Sequence, residues 1–307
     1  MLLPDNPPRF LGSELPLTAP DDALFHVIPV PYEAGVSYGR GTAKGPAAIL
    51  EASGQLEVWD GESVPADLGI YTTPAVDCTG QAQVVLRNIA HSVRNSLDQG
   101  GLPILLGGEH TVTYGALLAL KERYGTFGLI QIDAHADLRD VYDNTPWSHA
   151  CVMRRAVQDL GLPLVQFGVR AMCLEEVKAR CDLNVIAYDA IALMRQKQTK
   201  QPLPADFPDR LYITFDVDGL DPGIMPATGT PVPGGLDWYS ALELIEASAR
   251  GRRIIGLDVV ELAPIPGLHA PDFVAARLVY ALMGILQRGL KGAIGDPLLP
   301  IPPKRIG

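Results

Sequence analysis

Short apolar runs that end in side chains suited to metal binding are the most regular pattern in the chain. Three runs do so, residues 102–106 before Glu109 and His110, residues 127–132 before Asp133, and residues 211–215 before Asp216. Short apolar runs rich in β-branched residues predict buried strands. Since ligands of open α/β sheets bind beyond the carboxyl ends of such strands, the three ends predict one shared site.

Helical and extended patterns alternate along the rest of the chain. The predicted strands are residues 25–30, 102–106, 127–132, 164–169, 184–188, 211–215 and 253–258. The predicted helices are residues 46–52, 83–99, 112–124, 151–160, 174–180, 240–250 and 273–287. This alternation predicts crossover connections and a mostly parallel sheet. We expect one α/β domain over residues 23–307, an irregular arm over residues 1–22, and a polar loop over residues 196–210.

Composition and charge narrow the classes of partner. A hydrophobic content of 47% with 20% charged residues predicts a soluble globular protein with a large core. The formal charge of −10 disfavours nucleic acid and anionic membranes as partners and slightly favours a cationic substrate. The four cysteines lack CxxC spacing, no leader segment is evident, and no apolar run is long enough to span a bilayer. We therefore expect reduced thiols and a cytoplasmic location.

The ends of the apolar runs supply four carboxylates and two imidazoles. The six candidates are His110, Asp133, His135, Asp137, Asp216 and Asp218. Residues two apart on a strand share a face, so the Asp and His side chains of each run are expected to point into one cavity. Each residue alone would more often be a cap or a surface charge, but so many buried together are hard to obtain by accident.

This ligand set predicts two metal ions that share bridging carboxylates. A structural zinc site would more often use cysteine and histidine. Oxygen donors with two imidazoles favour Mn²⁺, with Ni²⁺, Co²⁺, Fe²⁺ or Zn²⁺ as alternatives. Two such ions, roughly 3.5 Å apart, can hold a hydroxide at neutral pH that attacks a polarised carbon.

Five ordered motifs together resemble the ureohydrolase family, which includes arginases and agmatinases. They are GGEH at residues 107–110, DAHAD at 133–137, SH at 148–149, FDVDGLDP at 215–222 and ATGTP at 227–231. The resemblance extends from the first strand to Glu261. It implies a three-layer αβα fold around a parallel eight-stranded sheet, a binuclear manganese centre at the strand ends, and a homo-oligomer, either a trimer or a hexamer.

The resemblance also implies a role for each ligand. One ion would be held by His110, Asp133, Asp137 and Asp216, and the other by Asp133, His135, Asp216 and Asp218. Asp133 and Asp216 would bridge the ions, and Asp137 would belong to the catalytic group as a ligand.

For the reaction, the resemblance implies that the bridging hydroxide attacks the guanidino carbon and releases urea and an amine. His149 would pass a proton to the departing amine, which suits an imidazole because its pKa lies near neutrality. Glu261 would hold the planar guanidinium, whose fork matches a carboxylate. Thr228 and Thr230 would line the same pocket.

The segment between the ligands and His149 bears on the choice of substrate. Residues 138–148 lack the Ser/Thr/Asn-rich segment of arginases and look closer to agmatinases, so we expect agmatine, yielding urea and putrescine. Asp140 or Asp143 is a candidate to attract the ammonium of agmatine, with surface solvation as an equal alternative. The alternative 4-guanidinobutanoate could pair with Arg139, and 3-guanidinopropanoate, guanidine and arginine also remain open.

Two other classes of protein are alternatives to a two-metal hydrolase. Zinc-dependent deacetylases resemble a one-metal version of this site with fewer ligands, and the six-ligand set favours two metals instead. A non-catalytic binding or regulatory member of the fold would be expected to have lost ligands or the proton-shuttling histidine. None of these residues is missing here.

Overall fold

Eight parallel strands form one sheet in the computed structural model, which describes residues 8–196 and 202–290. The strands are β1 Phe25–Val30, β2 Ile70–Thr72, β3 Leu102–Gly107, β4 Gly128–Ile132, β5 Leu164–Phe167, β6 Ile186–Tyr188, β7 Arg210–Asp216 and β8 Arg253–Val260. Their order across the sheet is β2-β1-β3-β8-β7-β4-β5-β6. Every residue of β1, β3, β4 and β5 is buried, as expected when helices cover both faces of a parallel sheet.

Helices cover the two faces and complete the three-layer αβα architecture predicted from the sequence. They are α1 Gly45–Ser53, α2 Ala82–Asp98, α3 Val112–Tyr124, α4 Val152–Gln158, α5 Leu174–Asp182, α6 Ala190–Gln196, α7 Trp238–Ala249 and α8 Ala270–Leu290. Ile89 of α2 and Leu117 of α3 lie in the apolar core on one face. Ile49 of α1 and Val279 of α8 lie in the core on the other face.

The chain order reverses in the middle of the sheet. After β3 the chain crosses to β4, and only later do β7 and β8 fill the gap between them. The carboxyl ends of four adjacent strands, β3, β8, β7 and β4, therefore open at the place where the connections diverge. Such a switch point is where open α/β sheets form their binding crevice.

Two elements of the structure were not predicted from the sequence pattern. Strand β2 is three residues long and buries only Ile70, so no alternation marks it. Helix α6, Ala190–Gln196, lies immediately before the polar segment that predicted a loop. Of that predicted loop, residues 197–201 lie outside the described part of the chain, and β7 begins at Arg210.

Helix α8 corrects the expectation that no apolar run is long enough to span a bilayer. Its 21 residues are long and apolar enough to do so, but 67% of that stretch is buried inside the protein. It packs against α1 and β8, as the core helix of a folded domain does. Residues 1–7 of the predicted arm lie outside the described residues, and the rest forms turns and a 3₁₀ turn at Pro20–Asp22.

Candidate metal centre

The six predicted ligands meet at the carboxyl ends of β3, β4 and β7. His110 follows β3 by three residues, Asp133 follows β4 directly, and Asp216 is the last residue of β7. Two details differ from the prediction that alternation along a strand brings the side chains together. Residues 133–137 lie in the loop after β4, and Asp218 lies in a 3₁₀ turn after β7. The turns, rather than strand alternation, therefore make the side chains converge.

One cluster gathers around the imidazole of His110. Its Nδ1 lies 2.9 Å from Oδ2 of Asp137, 3.2 Å from Oδ2 of Asp133 and 3.4 Å from Oδ2 of Asp216. This nitrogen is buried, and it has no hydrogen-bond partner of normal geometry among the described residues. An imidazole nitrogen that faces three carboxylate oxygens without a hydrogen bond of normal geometry is suited to be a ligand of a metal ion.

A second cluster adjoins the first. His135 Nδ1 lies 3.0 Å from Oδ2 of Asp218 and 3.6 Å from Oδ1 of Asp133. The donor atoms of His135, Asp133 and Asp218 lie close enough together to hold one ion, as do those of His110, Asp133 and Asp216. Asp133 belongs to both groups, with one carboxylate oxygen facing each imidazole. Asp133 would therefore contribute a donor atom to either group if both held a metal ion.

Hydrogen bonds fix the carboxylates in these positions. Gln131 donates to Oδ2 of Asp133 at 2.7 Å, and the backbone N–H of His135 donates to Oδ1 of Asp133 at 2.6 Å. Asp216 accepts from the backbone N–H of Asp218 at 2.8 Å, and Asp218 in turn accepts from that of Ala134 at 3.0 Å. The loops after β4 and β7 therefore hold each other in register at the site.

The pKa shifts within the cluster indicate that added positive charge would stabilise its carboxylates. Burial and the neighbouring Asp133 raise the pKa of Asp137 to about 7. Burial, together with Asp218 and Asp133, raises the pKa of Asp216 well above its ordinary value. Although burial opposes it, Asp133 and Asp218 raise the pKa of His135 to about 12. Carboxylates packed this closely stay ionised only beside cations, so the donor set fits divalent metal ions.

Two site residues adopt left-handed backbone conformations that are unusual for residues other than glycine. The φ angle is 54° at Asp137 and 66° at Glu261. Left-handed φ angles at such residues cost free energy and persist where the surroundings enforce them, often at functional sites. Glu261 is buried, and its Oε1 accepts from the backbone N–H of His110 at 2.6 Å. The bond fixes Glu261 next to the first cluster.

A buried polar chain behind His110 sets the tautomer of its ring. Nε2 lies 2.7 Å from the hydroxyl of Thr214, which donates to Oδ1 of Asp258 at 2.6 Å. The hydroxyl of Tyr212 donates to the other oxygen of Asp258 at 2.7 Å. Because the Thr214 proton goes to Asp258, Nε2 of His110 is the donor to Thr214, which leaves the lone pair on Nδ1 for a metal.

Sequence reasoning missed these supporting residues, although a signal was available. Gln131, Thr214 and Asp258 are fully buried polar residues inside otherwise apolar strands. Gln131 and Thr214 each stand two positions before a ligand, and so on the same face of the strand. Glu109 is also buried, and it accepts from the backbone N–H groups of Ala34 and Gly35 at 2.7 and 2.6 Å. It thereby ties the loop after β1 to the site.

A narrow cavity of about 30 Å³ opens above the clusters. The residues around it include His149, Glu261, Thr228, Thr230 and the loop formed by Val36, Ser37 and Tyr38. The structure therefore brings the predicted shuttle, the predicted guanidinium partner and both threonines to the ligands. Tyr38, which also lines the cavity, is exposed.

The two carboxylates proposed to attract an ammonium are placed elsewhere. Asp140 pairs with Arg155, and it is half-exposed. Asp143 lies in a left-handed turn with a φ angle of 48°. Neither is among the described residues that line the cavity. The structure thus gives Asp140 a partner in Arg155, and the attraction of an ammonium by either carboxylate stays a prediction.

Comparisons with known proteins show which proteins the chain is similar to. A model of the arginase family matches residues 23–284. An N(1)-aminopropylagmatine ureohydrolase from Synechocystis is 39% identical over 292 residues, covering 91% of this chain and 94% of that protein. An agmatinase from Pyrococcus horikoshii is 28% identical over 291 residues, covering 91% and 98%. The crystal structure of agmatine ureohydrolase from Thermoplasma volcanium superposes with a TM-score of 0.80 at 26% identity, covering 93% and 97%.

The hydrogen bond from His110 to Thr214 can be tested by removing the hydroxyl. We expect Thr214→Val to weaken Mn²⁺ binding by about 10- to 100-fold, because the imidazole loses the partner that fixes its tautomer. Calorimetric titration of the metal-free protein with Mn²⁺ measures the change. Thr214→Ser, which keeps the hydroxyl, should bind almost normally.

Thr126→Val provides the matched control, since Thr126 contacts only an exposed lysine in the described structure. An unchanged Mn²⁺ affinity in Thr214→Val, with the Thr126 control also unchanged, would contradict the role assigned to this polar chain.

Proposed function

The chain belongs to the arginase family, and we propose that it hydrolyses the guanidino group of an agmatine-type polyamine, with N(1)-aminopropylagmatine preferred over agmatine. Hydrolysis of a guanidino group follows from membership of this family. The order of the two substrates is supported by the relatives, since the aminopropylagmatine ureohydrolase is 39% identical and the agmatinase 28%. Hydrolysis of either substrate releases urea and leaves a polyamine.

The observation that carries the proposal is Asp133 facing two imidazoles, with Glu261 at the edge of the same cavity. His110, Asp133, Asp137 and Asp216 would hold one ion, and His135 and Asp218 would hold the other together with Asp133 and Asp216. When bound, two ions supply a strong oxygen nucleophile at neutral pH. The oxygen and imidazole donors support Mn²⁺ as the metal of this proposal.

Glu261 binds the guanidinium head. Its Oε1 is occupied by the N–H of His110, which leaves Oε2 to accept from the substrate. Burial and the nearby Glu109 raise the pKa of Glu261 well above its ordinary value, so the carboxylate needs a cation close by to stay ionised. A guanidinium supplies that charge and matches the carboxylate in shape.

His149 moves the proton that the leaving amine requires. Burial and the imidazoles of His110 and His135 lower the pKa of His149 to about 4, so the ring is neutral near pH 7. The neutral ring can accept a proton as the guanidino carbon is attacked and then donate it to the departing nitrogen. Tyr142 packs edge-on against the ring, with 5.8 Å between centroids, and orients it.

The rest of the substrate points outward past Tyr38. The cavity is small and is lined largely by the ligand candidates, so we expect a polyamine tail to extend away from it toward solvent. Arg139, whose guanidinium lies 4.9 Å from the ring centroid of Tyr142, keeps an acidic guanidino compound as the second candidate.

Two further properties complete the proposal. Family resemblance supports a homo-oligomer, a trimer or a hexamer. The acidic charge of −10 supports a cytoplasmic protein that binds small cations rather than nucleic acid or membrane.

Urea release by the Mn²⁺-loaded protein tests the substrate directly. We expect the highest kcat/KM on N(1)-aminopropylagmatine, a lower value on agmatine, and little turnover of L-arginine, 4-guanidinobutanoate, 3-guanidinopropanoate or guanidine. A preference for an acidic guanidino compound would overturn the substrate while keeping the reaction. The absence of urea from every compound, with metal bound, would overturn the reaction itself.

The role of His149 predicts a loss of rate without a loss of metal. We expect His149→Asn to lower kcat by about 10²- to 10⁴-fold, as removal of a general acid–base group does, with unchanged Mn²⁺ content. Steady-state kinetics and elemental analysis of the same sample measure both. His91→Asn is the control, because His91 is exposed and forms a hydrogen bond with Asn95 on the same helix, away from the residues described at the metal centre. A kcat within about twofold of the parent would contradict the proton transfer.

A further inference from the structure

The side chain of Arg170 joins two loops at the edge of the metal centre. The residue lies three positions after the end of β5 and is half-buried. Its Nη2 donates to the backbone carbonyl of Asp218 at 2.7 Å and to that of Val232 at 2.6 Å. One guanidinium therefore connects the 3₁₀ turn that carries the ligand Asp218 with the loop that contains Val232.

Further contacts of the same guanidinium hold the turn from several sides. Nη1 donates to the carbonyl of Gly168 at 3.2 Å and to that of Gly219 at 3.4 Å, and Nη2 also donates to the carbonyl of Leu220 at 3.3 Å. Three successive carbonyls, those of residues 218–220, thus accept from one side chain. A guanidinium can do this because its donors are spread over a fixed planar fork, whereas a lysine ammonium has a single nitrogen.

The backbone of Arg170 is bonded to the segment that carries His135. The N–H groups of Arg170 and Ala171 both donate to the carbonyl of Ala134, at 2.9 and 3.0 Å. His135 follows Ala134 directly, and it pairs with Ala171 in an isolated parallel bridge. Arg170 thus holds the segment of His135 through its backbone and the turn of Asp218 through its side chain. These two ligands are the ones that belong only to the second ion.

The first cluster is supported by different residues. Nε2 of His110 is bonded to the hydroxyl of Thr214 at 2.7 Å. Among the described hydrogen bonds of Arg170, none involves His110 or Asp137, the ligands that belong only to the first ion. The two clusters share Asp133, but the supports behind their other ligands are separate.

We propose that Arg170 is a positioning residue for the second metal ion, the one that His135 and Asp218 would hold. This inference rests on the two-metal centre of the proposed function. Residues that orient the ligands of a metal contribute about 10- to 100-fold to its affinity. Because Arg170 orients only the ligands of the second ion, its removal weakens the binding of that ion and leaves the first in place.

Calorimetric titration of the metal-free protein with Mn²⁺ tests the proposal. We expect the parent protein to bind two ions. Arg170→Met should bind the second ion about 10- to 100-fold more weakly, with almost unchanged affinity for the first. Electron paramagnetic resonance is an independent readout of the same difference. At the Mn²⁺ concentration that gives two spin-coupled ions in the parent, the variant should show the signal of an isolated ion.

Three further variants make the test specific. Arg170→Lys keeps the charge but not the fork, so it should also bind the second ion more weakly, and it serves as the test if Arg170→Met does not fold. Adding Asp137→Asn to either variant should weaken the retained ion, because Asp137 belongs to the first cluster. Arg277→Met is the matched control, since Arg277 on α8 is also half-buried and donates to a backbone carbonyl, that of Asp60.

Two results would overturn the role of Arg170 while leaving the two-metal centre intact. One is parent-like binding of both ions in the Arg170 variants. The other is an equal weakening of both ions, which would indicate a general loss of structure. A parent protein that binds fewer than two Mn²⁺ ions would overturn the centre of the proposed function, and the role of Arg170 with it.

Discussion

The burial of four carboxylates within a few ångströms of one another is the constraint on which the structure depends. Such a group is unstable unless cations lie among the oxygens, because each buried charge raises the pKa of its neighbours. The pKa values of Asp137 and Asp216 are both raised in this way. Nδ1 of His110 faces three of these carboxylates without a hydrogen bond of normal geometry among the described residues, a position that suits a metal ligand. The arrangement is consistent with a protein that folds around a place for divalent ions.

The rest of the fold positions the ligands of this candidate metal centre. Strands β3, β8, β7 and β4 lie side by side, so their carboxyl ends deliver ligands from segments far apart in the chain. Asp137 and Glu261 adopt left-handed backbone conformations at this edge of the sheet, which cost free energy and persist where the surrounding structure enforces them. Behind the ligands, Gln131, Thr214 and Asp258 fix the rotamers through buried hydrogen bonds. The same buried residues thus contribute to the packing of the domain and to the positions of the metal ligands, at one edge of the sheet.

The sequence predicted the sheet and the ligand set because both depend on strong local patterns. Helix α3, for example, was predicted at its observed bounds, and the apolar runs before His110 and Asp133 mark β3 and β4. It did not predict how the ligands converge, since the loop after β4 and the 3₁₀ turn at Val217–Gly219 depend on tertiary contacts. Nor did it predict that Asp140 pairs with Arg155, a contact between residues 15 positions apart. Short edge elements such as β2 carry too few residues to show a pattern.

Anomalous diffraction from crystals of the Mn²⁺-loaded protein, recorded on both sides of the manganese absorption edge, tests the central claim most directly. Two manganese peaks should flank the Asp133 carboxylate, one beside Nδ1 of His110 and the other beside Nδ1 of His135. A single peak, or manganese bound away from Asp133, would contradict the binuclear centre from which the function is argued.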